Sequence, residues 1–208
     1  ATALGAKTNL DRHIRNMASF GVPVVVSINR FTSDTDDEVA AIAQAARESG
    51  ANSVCITEVH AHGGEGGKEL AEAVVKAVQN HVAAGRPFVP LFTPETDVLA
   101  KAEAIATRLY KADGVELTAK AQRELERIRS WGYGHLPVCM AKTQYSFSHD
   151  ASLLGAPSGF TVPVREFRLN AGAGFVVAVL GNMMTMPGLP KRPAALDMDM
   201  DEDCLLYT

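Results

Sequence analysis

The sequence predicts an α/β fold in which parallel-sheet strand–loop–helix units are followed by a smaller α+β portion. Three observations carry that prediction. Two short β-branched runs, residues 22–28 and 53–57, each pass through a polar loop into a helix-period pattern. The first run, interrupted only by Ser27, is too continuous to have a wet face, as a central strand covered on both faces requires. Beyond residues 86–94, which hold three prolines, the texture changes to paired helices and then to strands with glycine turns.

Taken in order, residues 7–20 set Leu10, Ile14 and Met17 at helical spacing, with Gly21 as the stop. Residues 22–28 follow as the central strand, and residues 29–34 form the loop at its carboxyl end. Thr35-Asp-Asp-Glu38 is a capping box: the Thr35 hydroxyl serves the Glu38 amide and the Glu38 carboxylate reaches back. The helix behind it buries Val39, Ile42 and Ala46 and stops at Gly50. Strand 53–57 leads through the loop 58–67 into a helix with Leu70, Val74, Val78 and Val82 inward. Two further helices, near 96–111 and 118–130, flank an Asp113-Gly114 turn. Strands at 136–141, 160–169 and 175–180 complete the chain, with Gly172 and Gly174 between the last two. The domains expected are 1–90 and 91–208, and no internal repeat is visible.

Composition narrows the function classes. Of 208 residues, 20 are Lys or Arg and 24 are Asp or Glu, a net charge of −4, and the basic residues are dispersed. A nucleic-acid partner, which calls for a basic stripe, is set aside. With 47% apolar and 21% charged residues, the chain has a core to bury and too few charges for disorder. No apolar run approaches the roughly 20 residues that span a bilayer, so no membrane crossing is expected. The start, Ala1 to Lys7, has neither an initiator Met nor a basic-then-apolar leader, and reads as the interior of something longer. Three widely spaced cysteines, Cys55, Cys139 and Cys204, form no disulfide framework and fit a reducing cytoplasm. Cys55 and Cys139, in apolar strand runs, read as buried inert thiols.

In open α/β sheets ligands sit outside the carboxyl ends of the strands, which selects the loops after Ile28 and Thr57. Asn29 can donate and accept at once, as the edge of an adenine demands; it can equally be a turn residue bonding its own backbone. Phe31 can lie against a flat ring or simply pack its loop. The run Gly63-Gly-Glu-Gly-Gly-Lys68 has the backbone amides of an anion cradle but fails the Walker A pattern: His62 stands where its first Gly belongs and Glu69 where Ser or Thr belongs. Gly63, Gly64, Gly66 and Gly67 therefore read as a loop that lets a ligand approach the backbone, or as a plain helix entry. Glu58, His60 and His62 alternate, which on an extended segment would put three zinc-type ligands on one face. Lys142 can hold an anion, with Gln144 beside it, or lie along the surface. Met186, Pro187, Gly188 and Leu189, closed by Pro190, form a rigid turn. Ser146, Ser148, His149 and Asp150 hold triad residue types, but adjacency along a chain builds no triad. Asp197-Met-Asp-Met-Asp201 lacks the Gly and Glu of a calcium loop and reads as a solvated tail.

Several of these segments, in order, resemble the C-terminal portion of formate–tetrahydrofolate ligases, also called formyltetrahydrofolate synthetases. They are Asn9-Leu-x-x-His-Ile14, Phe20-Gly-Val-Pro-Val-Val-Val-Ser-Ile-Asn-Arg-Phe31 with Asp34-Thr35, Gly63-Gly-Glu-Gly-Gly67 with Glu69-Leu-Ala71, Leu136-Pro-Val-Cys-Met-Ala-Lys-Thr-Gln-Tyr-Ser146, Gly172-Ala-Gly-Phe175 and Met186-Pro-Gly-Leu-Pro190. The resemblance implies a P-loop NTPase-like domain lacking its P-loop, and a smaller folate-side domain. It implies a cytoplasmic, homotetrameric enzyme of one-carbon metabolism that makes 10-formyltetrahydrofolate from formate, tetrahydrofolate and ATP with Mg²⁺, by way of formyl phosphate, and is activated by monovalent cations. Asn29 would then serve the adenine, and Phe31 would be one wall of a ring site whose other wall, Trp in many members, is His60 here. Catalytic groups would lie in the N-terminal half, so this segment alone should be silent. The alternatives are a non-catalytic binding or assembly module with a degenerate site, and a metal enzyme using Glu58, His60 and His62.

Overall fold

The computed structural model describes residues 2–181 together with Arg192, Leu196, Asp199–Met200 and Leu206–Tyr207. The turn from Met186 to Pro190 and Cys204 lie outside the described residues.

Residues 2–18 form one helical run: α1 (Thr2–Gly5), a wider π turn over Ala6–Leu10, and α2 (Asp11–Ala18). Ala6 and Ile14 are buried, whereas Met17, expected on the same stripe, is half exposed at the last turn. Gly21 then takes φ +76°, and a Cβ there would stand 2.9 Å from the Pro87 carbonyl, so only glycine fits.

Strands β1 (Val25–Asn29) and β2 (Ser53–Thr57) pair in parallel, in register from Val25↔Ser53 to Asn29↔Thr57. Helix α3 (Asp36–Glu48) starts at the expected capping box and covers the sheet face that carries Ile28 and Val54. Helix α5 (Lys68–Ala83) lies on the opposite face, where the Cys55 thiol approaches the Glu69 carbonyl at 3.9 Å. Between β2 and α5 run a short α4 (Val59–His62) and a 3₁₀ turn, Gly63–Gly67.

Two expectations are corrected here. The paired part of the first strand begins at Val25, because Pro23 has no N–H and the Val24 amide is taken by the Asn52 side chain at 2.8 Å. Among the described residues β1 pairs only with β2, and Ile28 alone on it is buried, so this is not a fully covered central strand. Likewise Val74, Val78 and Val82 do not point inward: they lie exposed, and the stripe facing the sheet is Leu70, Ala73 and Ala77.

The second sheet is mixed, in the order β3-β5-β6-β4. Helix α6 (Val98–Ala104) passes into a second wide turn, Ile105–Tyr110, closed by Lys111 at φ 61°. Strand β3 (Gly114–Leu117) occupies the position expected to be a bare turn, and runs parallel to β5 (Thr161–Asn170). Four residues are too few to show an alternation, which is why the strand is hidden in the sequence. Helix α7 (Ala119–Ser130) packs Ala121, Leu125 and Ile128 on β5. Strand β4 (Val138–Ala141) pairs in parallel with β6 (Phe175–Leu180), which is antiparallel to β5. Being at the sheet edge, β4 leaves Cys139 exposed, contrary to the buried thiol expected; Cys55 is buried, and burial pushes its thiol above the ordinary value. Asp199–Met200 (β7) and Leu206–Tyr207 (β8) pair antiparallel where a solvated tail was expected. No helix among the described residues is long and apolar enough to cross a membrane.

The helical run 2–18 joins the two sheets. Arg12 and Asn16 donate to the carbonyls of Tyr110 (3.3 Å) and Leu109 (3.0 Å), acceptors at the end of the second wide turn. Lys101, 1% exposed, ties the 86–97 segment to the α7–β4 turn: its ammonium donates to the carbonyls of Pro94 (2.8 Å), Leu136 (3.3 Å) and His135. Replacing it with Met should leave three acceptors unsatisfied and lower stability by about 2–4 kcal/mol, read by chemical denaturation.

Glu166 gives a pH test. It is buried beside a bulge in the β5–β6 ladder and accepts from Lys120 and Arg168, and the Lys120 contact, more than the Arg168 one, holds its carboxyl below the usual range. A depressed folded-state value means the contribution is present above about pH 4.5 and is lost as pH falls through the lower value. Glu166→Gln should therefore flatten the acid limb of the stability–pH curve and change its neutral plateau little in slope.

Candidate functional site

The parallel register ends β1 and β2 at the same level, with Asn29 opposite Thr57. The two following loops therefore start side by side. The Arg30 amide donates to the Thr57 carbonyl at 2.9 Å, and the Thr57 hydroxyl, buried, contacts Ser27 Oγ at 3.0 Å and the Ile28 carbonyl at 3.3 Å. These hydroxyls lock the strand ends. They went unnoticed in the sequence because Ser and Thr inside β runs carry no signal of their own.

Beyond Asn29 the loop is held by its own carboxylates. Asp34 Oδ2 accepts the Phe31 amide at 2.8 Å, the Asp34 amide returns to the Phe31 carbonyl at 3.0 Å, and Arg30 Nη2 donates to Asp36 Oδ1 at 2.6 Å. Asn29 is exposed at the strand end with no side-chain hydrogen bond among the described residues, and Phe31 is 52% exposed. Phe31 and His60 face one another across the two loops, ring centroids 6.4 Å apart and tilted by 41°.

The glycine loop has a physical reason of its own. A Cβ on Gly66 would lie 2.5 Å from the Glu58 carbonyl oxygen, and the Glu58 amide donates to the Gly66 carbonyl at 3.1 Å. Gly66 thus permits the loop to close on its own backbone. Gly63 takes φ +56°, a Cβ on Gly67 would lie 3.2 Å from a Val59 methyl, and one on Gly64 would meet nothing within 4 Å.

Glu58, His60 and His62 do not share a face. Val59–His62 is a helical turn, so positions two apart diverge by about 200° instead of aligning as on a strand. Among the described residues no group of three His, Cys, Asp or Glu could hold a metal ion.

Lys142 lies elsewhere, after β4. It donates to the carbonyls of Thr143 (2.9 Å) and Ser146, and its ammonium stands 5.3 Å from the Tyr110 ring centroid. Burial pushes it below the ordinary lysine value, and pushes the Tyr110 phenol up to about 12. Lys142 is thus turned into its own loop, and Gln144 beside it is exposed. Ser146, Ser148 and Asp150 form a ladder of turn bonds, Ser146 Oγ to Ser148 Oγ at 2.9 Å and Asp150 Oδ1 to the Ser152 amide at 2.8 Å, a scaffold and not a triad. A cleft of about 540 Å³ lies at the amino ends of β1 and β2, lined in part by Pro23, Asn52, Lys76, His81 and Arg86. It is at the opposite end of the strands from Asn29.

Fold and strand-end loops together define an α/β chain whose exposed polar and ring side chains gather at the carboxyl end of a parallel pair. The family model of formate–tetrahydrofolate ligase matches residues 3–206. The chain is 51% identical over 195 residues to the formate–tetrahydrofolate ligase of Maricaulis maris (strain MCS10), a match covering 94% of this chain and 34% of the relative. It is similarly 51% identical over 195 residues to the ligase of Paracoccus denitrificans (strain Pd 1222), and 49% over 202 residues to that of Leuconostoc citreum (strain KM20), with 34% and 36% of those relatives covered. The chain belongs to the formate–tetrahydrofolate ligase family. It spans about a third of the length of these curated relatives.

The loop geometry is open to a direct test. Gly66→Ala should cost about 1–3 kcal/mol in thermal or chemical denaturation, because its Cβ meets fixed backbone, while Gly64→Ala, which meets nothing within 4 Å, should cost under about 1.

Proposed function

We propose that this chain is the C-terminal portion of an ATP-dependent ligase that forms 10-formyltetrahydrofolate from formate and tetrahydrofolate. In that reaction the γ-phosphoryl group of ATP passes to formate, and the amine of tetrahydrofolate then attacks the formyl carbon of formyl phosphate and expels phosphate. The observation that carries the reading is the Phe31–His60 pair beside Asn29, in a chain whose relatives bear the ligase name.

In this reading the chain binds and orients. Asn29, exposed and with a free amide, reads the adenine edge by donating and accepting at once. Phe31 and His60 are the walls of a planar-ring site. A ring inserted between two others needs about 7 Å, twice the contact distance of about 3.5 Å. At 6.4 Å and 41° the pair has to part slightly and flatten, a side-chain adjustment on exposed loops. Gly63, Gly64, Gly66 and Gly67 hold the turn that presents His60. Lys142 acts by fixing the loop after β4, and the Met186–Leu189 turn joins the folate side.

The Mg²⁺ that accompanies ATP, the phosphate loop and the groups that handle formate belong to the rest of the polypeptide, in a P-loop NTPase-like domain completed by residues 1–90. Residues 91–208 form the folate-side unit. Phosphoryl transfer rests on charge neutralisation and positioning, so the 208-residue chain alone should be silent. The complete enzyme is a cytoplasmic homotetramer activated by a monovalent cation.

Two outcomes test this. The isolated chain should yield no 10-formyltetrahydrofolate above background with formate, ATP, Mg²⁺ and tetrahydrofolate, and turnover by the isolated chain would refute its silence. In an assembly completed by the rest of the polypeptide, Phe31→Ala should weaken tetrahydrofolate or nucleotide binding by about tenfold, and His60→Trp should tighten it by about fivefold, both measured by calorimetry. Unchanged affinities in both variants would remove the ring-wall assignment.

A further inference from the structure

The cleft at the amino ends of β1 and β2 has no part in the ligase reading. It lies between the start of the strand pair, the second half of α5 and Arg86, and measures about 540 Å³. From Pro23 on its wall to Asn29 the chain advances six residues, up to about 20 Å when extended. A small molecule held there is therefore well apart from the Phe31–His60 rings.

The charge of the cleft wall runs against that of the chain. Acids outnumber bases, 24 to 20, over the 208 residues, yet no Asp or Glu lines the cleft, and Lys76, His81 and Arg86 do. Neither Lys76 nor Arg86 has an ion pair among the described residues, although Glu72 stands one turn before Lys76 on α5. Uncharged donors join them. Asn52 commits its Oδ1 to the Val24 amide at 2.8 Å, which leaves its Nδ2 hydrogens. The Ser53 hydroxyl and the Asn80 side-chain amide make no hydrogen bond among the described residues. The helix dipole does not explain the lysine: its effect fades within the last turn, which His81 occupies, whereas Lys76 lies about two turns before the end of α5 at Ala83.

Cations and neutral donors with no carboxylate among them describe an anion site. An ammonium point charge beside an arginine fork is the combination that grips phosphate. The volume sets the size of the ligand. It falls in the range of about 300–1,000 Å³ that holds metabolite-sized molecules, well beyond what a free inorganic ion fills. We propose that this cleft binds a small phosphate monoester with a hydroxyl-bearing body, the phosphate held by Lys76 and Arg86 and the hydroxyls by Asn52, Ser53 and Asn80. The site uses none of the residues of the ring site, so it stands or falls independently of the ligase reading.

The test is isothermal titration of the 208-residue chain with a hexose 6-phosphate, with inorganic phosphate and the unphosphorylated hexose as comparison ligands. A 1:1 complex with the ester is expected, at least tenfold tighter than with inorganic phosphate and weakened by added salt, with no binding of the bare hexose. Lys76→Met and Arg86→Gln should each weaken it at least tenfold. Both side chains are exposed, so both variants should keep the circular dichroism and melting temperature of the parent, and the pair guards against one of them misfolding. Arg123→Gln, on the exposed side of α7, should bind as the parent does. Equal affinity for the ester and free phosphate would overturn the proposal. So would the absence of saturable binding of the ester, or an affinity indifferent to both cleft substitutions.

Discussion

The parallel pairing of β1 with β2 is the constraint on which the candidate site depends. It aligns Asn29 with Thr57, and the Ser27–Thr57 hydroxyl contact at 3.0 Å, with the Arg30 amide on the Thr57 carbonyl, prevents either end from fraying. A shift of the ladder by one residue would turn Ile28 from α3 toward α5 and move Phe31 away from His60. The 6.4 Å ring separation is therefore a product of strand register before it is a property of the loops.

Much of this was legible in the sequence, and for identifiable reasons. The Thr35–Glu38 capping box appears as read, because a cap is a local interaction whose partners lie three residues apart. Strands β2 and β6 have their expected bounds, since their apolar runs are flanked by clear breakers. The pairing of Phe31 with His60 was implied by the family resemblance; the rule that ligands sit outside the carboxyl ends of parallel strands selected only the two loops that carry them.

What was not legible is non-local. Pro23 and Val24 read as strand, but the ladder starts later because Asn52, 28 residues away, takes the Val24 amide. Alternation of Glu58, His60 and His62 looked like a ligand face until the segment proved helical. The valines of α5 carry a period that says only that one side of the helix is apolar, not whether anything covers it. Lys142 reads in the sequence as an anion holder or a surface lysine and Lys101 carries no signal of its own, yet each is bound to backbone carbonyls that the sequence brings near only through the fold.

The helical run 2–18 has a mechanical meaning. Arg12 and Asn16 reach across to the carbonyls of Tyr110 and Leu109, and Thr8 packs within 3.1 Å of where a Cβ of Gly155 would be. The run acts as a splint laid over the joint between the two sheets. Their mutual orientation is set by these first turns as well as by the connecting segment, so losing the Arg12 and Asn16 bonds would leave the joint with fewer ties across it.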